Sequence, residues 1–288
     1  MKFDSVCSEY GAVTIVSAIS SFRGVTAGTD LRSTVSVKLE EGRDIVVLIR
    51  DMPDMSDALI RECVAVTSRF NKTGRRGLYI ETRSEIPPSR GMKSSSSVSV
   101  AAVRALLDAY GVRLPTLSIL RLAARASIRA GVSVTGAFDD AAACHYGGLV
   151  FADNRRMRME RRLSFRRKYR VVYSIPERAI VKGKLPLPEL RKWREGMLQA
   201  YRMAVLSLYR EAALSNSLIL SRILSIDPSP LLSSLIEGAA VAGITGTGPA
   251  LFALCTGREM PGVLRSLSGY GRTVVCRARG VSSNGTLL

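Results

Sequence analysis

Three glycine-containing segments concentrate the residue types that phosphate chemistry needs. The first is Pro87-Pro88-Ser89-Arg90-Gly91-Met92-Lys93-Ser94-Ser95-Ser96-Ser97. Its proline and glycine content predicts a loop. Val98, Ala101, Ala102, Ala105, Leu106 and Ala109 recur at helical spacing, which predicts a helix from Ser94 to Tyr110. A helix N-terminus offers unpaired N–H groups and the positive end of the peptide dipoles, so this junction suits an anion. Gly91 lets backbone come close to a phosphate, and Lys93 adds a charge. The hydroxyls of Ser94 and Ser95 can ligate a hard cation such as Mg2+. The run is not a Walker A loop, because Met92 separates Gly91 from Lys93. A Ser-rich turn would contain the same residues.

The second segment is Gly131-Val132-Ser133-Val134-Thr135-Gly136-Ala137-Phe138-Asp139-Asp140-Ala141, running on to Gly147-Gly148. Its adjacent carboxylates could bind metal or orient a hydroxyl beside a phosphate centre, or could cap a helix. The third is Gly243-Ile244-Thr245-Gly246-Thr247-Gly248-Pro249, a tight turn suited to a phosphate and equally to a hairpin. His145, the sole histidine, has no triad partner nearby in sequence and reads as a packed side chain.

The elements that must position these segments mix strands and helices without regular alternation, an α+β pattern. Strands are predicted at Val13–Val16, Ser33–Leu39 and Ile45–Ile49 as an antiparallel meander, then at Leu78–Thr82, Leu149–Phe151, Tyr169–Ile175 and Thr273–Ala278. Helices are predicted from Ser56 to Phe70, Pro115 to Ala130, near Phe138, across 188–224 and 230–240, and from Pro261 to Leu267.

Composition bounds the function. The 288 residues are 47% hydrophobic, enough for a substantial core. No uninterrupted apolar stretch of ~18 residues and no convincing signal peptide occur, so a cytoplasmic protein without a membrane partner is expected. The five cysteines, Cys7, Cys63, Cys144, Cys255 and Cys276, show no C-x-x-C pair and predict neither disulfides nor zinc. The net charge of +18 favours anionic partners. The densest basic run, Arg155 to Arg170, reads as a charged sheet edge. An RNA-binding protein would explain the charge, but aromatic residues are only 6% of the chain and the basic run lacks a stacking series, so no nucleic acid is expected.

Taken together, the three segments resemble the motifs of the GHMP kinases, the superfamily of galactokinase, homoserine kinase and mevalonate kinase. The superfamily phosphate loop P-x-x-x-G-L-G-S-S-A is matched from Pro87 to Ser96, and its T-G-x-G turn by Thr245-Gly246-Thr247-Gly248. Gly91 to Ser97 and Thr135 to Ala141 are, more narrowly, similar to the archaeal-type shikimate kinases. The similarity runs over nearly the whole chain. The first superfamily motif is matched weakly, with Ser17 where Asn belongs, and no role is carried onto it.

The resemblance implies a two-domain GHMP fold: an N-terminal domain like ribosomal protein S5 domain 2 over 1–155 and a ferredoxin-like domain over 156–288. It implies ATP and Mg2+, with the nucleotide held by the run from Pro87 to Ser97 and by Gly246, Thr247 and Gly248. Ser94 and Ser95 would ligate the metal, and Thr135 and Gly136 would touch the substrate. The implied reaction is phosphorylation of shikimate on its 3-hydroxyl, with homoserine or mevalonate as alternative acceptors. Spacing to Gly147 selects Asp140 as the catalytic carboxylate, whereas similarity to the usual Asp-Asn pair selects Asp139. Arginines should pair the shikimate carboxylate, although the sequence does not say which.

Overall fold

The computed structural model describes residues 2–165, 168–178, 180 and 185–281. Its spine is a long strand. β1 (Ser5–Val16) and β2 (Arg23–Glu40) pair antiparallel, from Ser5 opposite Val37 to Val16 opposite Val25. On its other edge, β2 pairs β5 (Leu149–Asp153) along its first part and β4 (Gly77–Ser84) along its second. Val35, Val37 and Leu39 are buried on one face, the two-residue period the sequence shows.

The expected meander fails at its third strand. β3 (Ile45–Ile49) lies at the sheet edge, parallel to β4 and not against β2. The reason is the connection: α1 (Ala58–Thr67) lies between β3 and β4, and a helical crossover brings the chain back in the same direction. α1 is also shorter than predicted, ending in a 3-10 turn over Ser68–Phe70.

α2 (Ser94–Ala109) contacts β1, β2, α1, α3 (Thr116–Arg129) and α4 (Phe138–Tyr146). Val100 to Val103 and Ala105 to Leu107 are all buried, as befits a helix enclosed on nearly every side. That enclosure fixes the position of its N-terminus.

β6 (Arg158–Leu163) extends the first sheet by pairing with β5. The change of sheet therefore falls between Leu163 and Arg170, later than the 155/156 boundary, because the basic run continues the first sheet as its edge. Arg166 and Arg167 of that run lie outside the described residues.

The second sheet is antiparallel, in the order β10 (Arg272–Arg277), β7 (Arg170–Ile175), β9 (Leu251–Cys255), β8 (Val241–Ile244). Val171 and Tyr173 face a core shared with Val13, Ile15 and Phe151 of the first sheet. Val172 faces the opposite way, into a core with Met197, Leu220, Leu231 and Val263. These come from the helical layer α5 (Leu187–Lys192), α6 (Arg194–Val205), α7 (Tyr209–Leu224), α8 (Ser229–Ile236) and α9 (Met260–Ser268). All five cysteines are free thiols.

Candidate active site

The three glycine-containing segments meet around one cavity of about 310 Å³. The first contributes Pro87, Ser89, Gly91, Met92, Lys93, Ser94, Ser95 and Ser96 to its lining, and the third contributes Gly246, Thr247 and Gly248. The second contributes Gly131 to Thr135, Ala137, Asp139 and Asp140. Four of the expected residues stand back from it. Pro88 and Arg90 do not line the cavity, and Arg90 instead donates to the Glu177 carbonyl at 2.7 Å. Ser97 is fully buried and donates from Oγ to the Glu9 carbonyl at 3.0 Å. Gly136 supplies a left-handed turn, φ +81°, that leads into α4.

The first and third segments are clamped directly to each other. Thr245 Oγ1 donates to the Gly91 carbonyl at 2.9 Å and accepts from the Thr14 N–H at 3.2 Å. A Cβ on Gly91 would lie 2.1 Å from the Thr245 carbonyl oxygen, and its φ is +82°. The glycine requirement at this position therefore comes from the neighbouring turn as well as from any phosphate.

Lys93 is the N-cap residue of α2 and holds a left-handed φ of +71°. It occupies the place of the second glycine in the superfamily loop, and its backbone retains a glycine-like conformation. The side chain crosses to the second segment, where Nζ lies 3.0 Å from Asp140 Oδ2, with both side chains about nine-tenths buried. The amides of Ser94, Ser95 and Ser96 open the helix, and the first backbone bond within it is Ser97 N–H to the Lys93 carbonyl at 3.0 Å. The free amides and the dipole end suit phosphate oxygens.

The two carboxylates are held differently. Asp139 is 2% exposed. Its Oδ1 accepts from Asn154 Nδ2 at 2.7 Å, its N–H donates to Asn154 Oδ1 at 2.9 Å, and its Oδ2 accepts from Thr26 Oγ1 at 3.1 Å. Thr26 shares that proton with Asp140 Oδ1, also at 3.1 Å. Asn154 is itself fixed by donating to Thr135 Oγ1 at 3.1 Å. A Cβ on Gly24 would lie 2.1 Å from Asp139 Oδ2, so β2 leaves room there for the carboxylate. Burial, and then the neighbouring Asp140, raise the Asp139 carboxyl to about 6, against the opposing pull of Lys93, Asn154 and Thr26.

Thr26, Asn154 and Thr245 hold the site together, and sequence reasoning assigned none of them a role. Thr26 sits mid-strand with no signal. Asn154 looks like an ordinary turn residue after a strand. Thr245 was visible only as part of a glycine turn. Ser17, to which no role was carried, lines the cavity with Ala18 and Ile19, and its N–H donates to Asn216 Oδ1 at 2.9 Å. His145 lies outside the lining, its Nδ1 2.8 Å from Glu9 Oε1 at the far end of α4.

Residues 58–148 match the GHMP kinases N terminal domain. The shikimate kinase of Methanosarcina mazei is 33% identical over 279 residues, covering 95% of this chain and 94% of that protein. The shikimate kinase of Methanosarcina acetivorans is 35% identical, covering 90% and 88% respectively. That of Pyrococcus furiosus is 32% identical, covering 84% and 88%. Among solved structures, Methanococcus jannaschii mevalonate kinase superposes with a TM-score of 0.75 at 16% identity, covering 95% of this chain and 98% of that one. A homoserine kinase from Cytophaga hutchinsonii gives 0.70 at 18%, covering 98% and 96%. At such identities the structural likeness concerns the fold.

Proposed function

The chain belongs to the GHMP kinases, within their shikimate kinase family, and from that membership we propose that it transfers the γ-phosphate of ATP to the 3-hydroxyl of shikimate. The observation that carries the reading is the contact between Lys93 and Asp140. It joins the α2 N-terminus, suited to phosphates, to a carboxylate suited to a hydroxyl.

In this reading the amides opening α2 and the turn at Gly246 to Gly248 bind the ATP phosphates. The acceptor hydroxyl lies against Asp140, whose Oδ2 is 3.0 Å from the Lys93 Nζ. The hydroxyl oxygen bonds to the γ-phosphorus, and the bond from that phosphorus to the β,γ-bridging oxygen breaks to release ADP. The hydroxyl proton passes to Asp140 and then to solvent. Asp139, enclosed by Asn154 and Thr26, holds Asp140 in place and is a positioning residue. Lys93 also sets positive charge between the carboxylate and the phosphates, where negative charge is transferred.

The donor set suits Mg2+. The hydroxyls of Ser94 and Ser95 and the Asp140 carboxylate are hard oxygens, and Mg2+ commonly takes few protein ligands beside phosphate and water. No group of three His, Cys, Asp or Glu side chains forms a metal cage among the described residues. When bound, the ion neutralises phosphate charge. Among the described residues no helix is long and apolar enough to cross a membrane. Because both proposed substrates are small soluble metabolites, we infer that the enzyme works in the cytoplasm.

The test is a coupled ADP-release assay with shikimate, homoserine, mevalonate and galactose, with and without Mg2+. Turnover that requires shikimate and Mg2+ is the expected result. Turnover with another acceptor and none with shikimate overturns the substrate.

A further inference from the structure

Gly147 and Gly148, the pair that ends the second segment, stand outside the cavity lining, and the structure gives them another part. α4 lies along β2 at backbone distance. Gly24, Thr26 and Gly28 alternate along β2 and so share one face. A Cβ on Gly24 would lie 2.1 Å from Asp139 Oδ2. Thr26 bonds both carboxylates. A Cβ on Gly28 would lie 2.7 Å from Gly147 Cα and 2.9 Å from the Ala143 carbonyl oxygen. One strand face therefore meets α4 at its first turn and again at its last.

The last turn is closed by chain that follows β10. Ala278 bridges Thr29. The Arg279 N–H donates to the Gly28 carbonyl at 2.8 Å, the Gly28 N–H to the Gly148 carbonyl at 2.9 Å, and the Gly148 N–H to the Arg279 carbonyl at 2.8 Å. These three bonds form a closed ring joining β2, the entry to β5 and the segment after β10. A Cβ on Gly147, whose φ is +70°, would lie 2.3 Å from the Gly280 carbonyl oxygen. The position is glycine because this segment lies against it.

The Arg279 side chain completes the closure. A helix leaves its last four carbonyls unpaired. In α4 the Ala143 carbonyl accepts from the Gly147 N–H at 3.0 Å. Arg279 Nη2 donates to the Cys144 carbonyl at 2.6 Å and to the His145 carbonyl at 2.8 Å. The guanidinium carbon stands 4.0 Å from the centre of the Tyr10 ring on β1, which orients it. Its charge also opposes the negative end of the α4 dipole. Arg279 thus ties α4 to β2 through side chain and backbone at once. α4 has nine residues and spans only about 13 Å, with Asp139 and Asp140 in its first turn, so a shift at one end tilts the other.

We infer that Arg279 is a positioning residue for phosphoryl transfer, acting through α4 to keep Asp140 in place against Thr26 and Lys93. The inference rests on the role given to Asp140 in the shikimate kinase reading. The test is a double-mutant cycle in kcat and KM: Arg279→Gln and Arg279→Lys, each alone and combined with Asp140→Asn, with folding followed by circular dichroism. Arg279→Gln should lower kcat about tenfold or more, the scale of a small misplacement of reacting groups, with the KM values for ATP and shikimate nearly unchanged. Arg279→Lys, which keeps the charge and a donor, should recover part of that loss. In the residual turnover of Asp140→Asn, Arg279→Gln should cost less than about twofold, because the group it positions is already gone. Where Arg279→Gln does not fold, Arg279→Lys carries the same cycle and should lower kcat only when Asp140 is present. An equal factor in both backgrounds, an unchanged kcat, an effect confined to KM, or loss of folding in both variants makes Arg279 a structural contact alone and overturns the inference. Wild type that does not phosphorylate shikimate, or Asp140→Asn with full activity, overturns the underlying reading instead.

Discussion

Replacing Asp139 with Asn removes a charge that the fold holds at a disadvantage. The carboxyl is 2% exposed, beside a second carboxylate, and is raised from 3.8 to about 6. Between those values the folded chain keeps a proton that the unfolded chain has released. Stability therefore falls as pH rises through this window and levels off above about pH 6. At 1.36 kcal/mol per pH unit, ionised Asp139 lowers stability by about 3 kcal/mol at pH 7 to 8. Asn avoids this without orphaning a partner. Its Oδ1 still accepts from Asn154, and its amide faces Thr26 Oγ1, whose proton still serves Asp140. The variant should melt higher than wild type at pH 8, by roughly 5 °C on the usual scale for a chain of this size. The gap should close as pH falls towards 4, while turnover falls because Asp140 loses a positioning neighbour. Paired calorimetric melts at pH 4.5 and pH 8 measure this directly. A gap that is equal at both values, or a variant less stable than wild type at pH 8, would show that ionised Asp139 places no burden on the fold.

Asp140→Asn should reduce turnover at least ~10²-fold while the protein stays folded, the usual loss for a positioned acid–base group. Full activity in Asp140→Asn combined with loss in Asp139→Asn would reverse the roles of the two carboxylates. Lys93→Ala should weaken ATP binding by about 1.5–3 kcal/mol, one charge-assisted contact, measurable by calorimetry with a non-hydrolysable analogue. The same change removes the cation that draws Asp139 down, so any acidic limb of the turnover profile should move to higher pH; a limb that stays put contradicts the electrostatic link. Gly91→Val should lose nucleotide affinity and thermal stability together, because its Cβ meets the Thr245 carbonyl at 2.1 Å. A variant that melts like wild type while losing only ATP would mean the clamp between the two turns is dispensable.

Local chemistry in the sequence determined the parts. Proline and glycine before a run of serines mark a loop opening a helix, because backbone preference and unpaired amides are properties of neighbouring residues. α2 begins at Ser94 as expected, and α4 begins at Phe138, with Asp139 and Asp140 in its first turn. The alternation of Val35, Val37 and Leu39 likewise marked the buried face of β2. The motif resemblance joined the three segments into one superfamily reading.

Tertiary structure decided which parts meet. Lys93 faces Asp140, Thr26 bridges both carboxylates, and Asn154 locks one of them, although Thr26, Lys93, Asp140 and Asn154 lie on four separate stretches of chain. No periodicity encodes such contacts. They depend on how an enclosed α2 and the long β2 place their ends, and on the small side chains that let backbones approach. The parallel placement of β3 was hidden for a related reason, since strand direction is set by the path of the intervening helix and not by the strand's own residues.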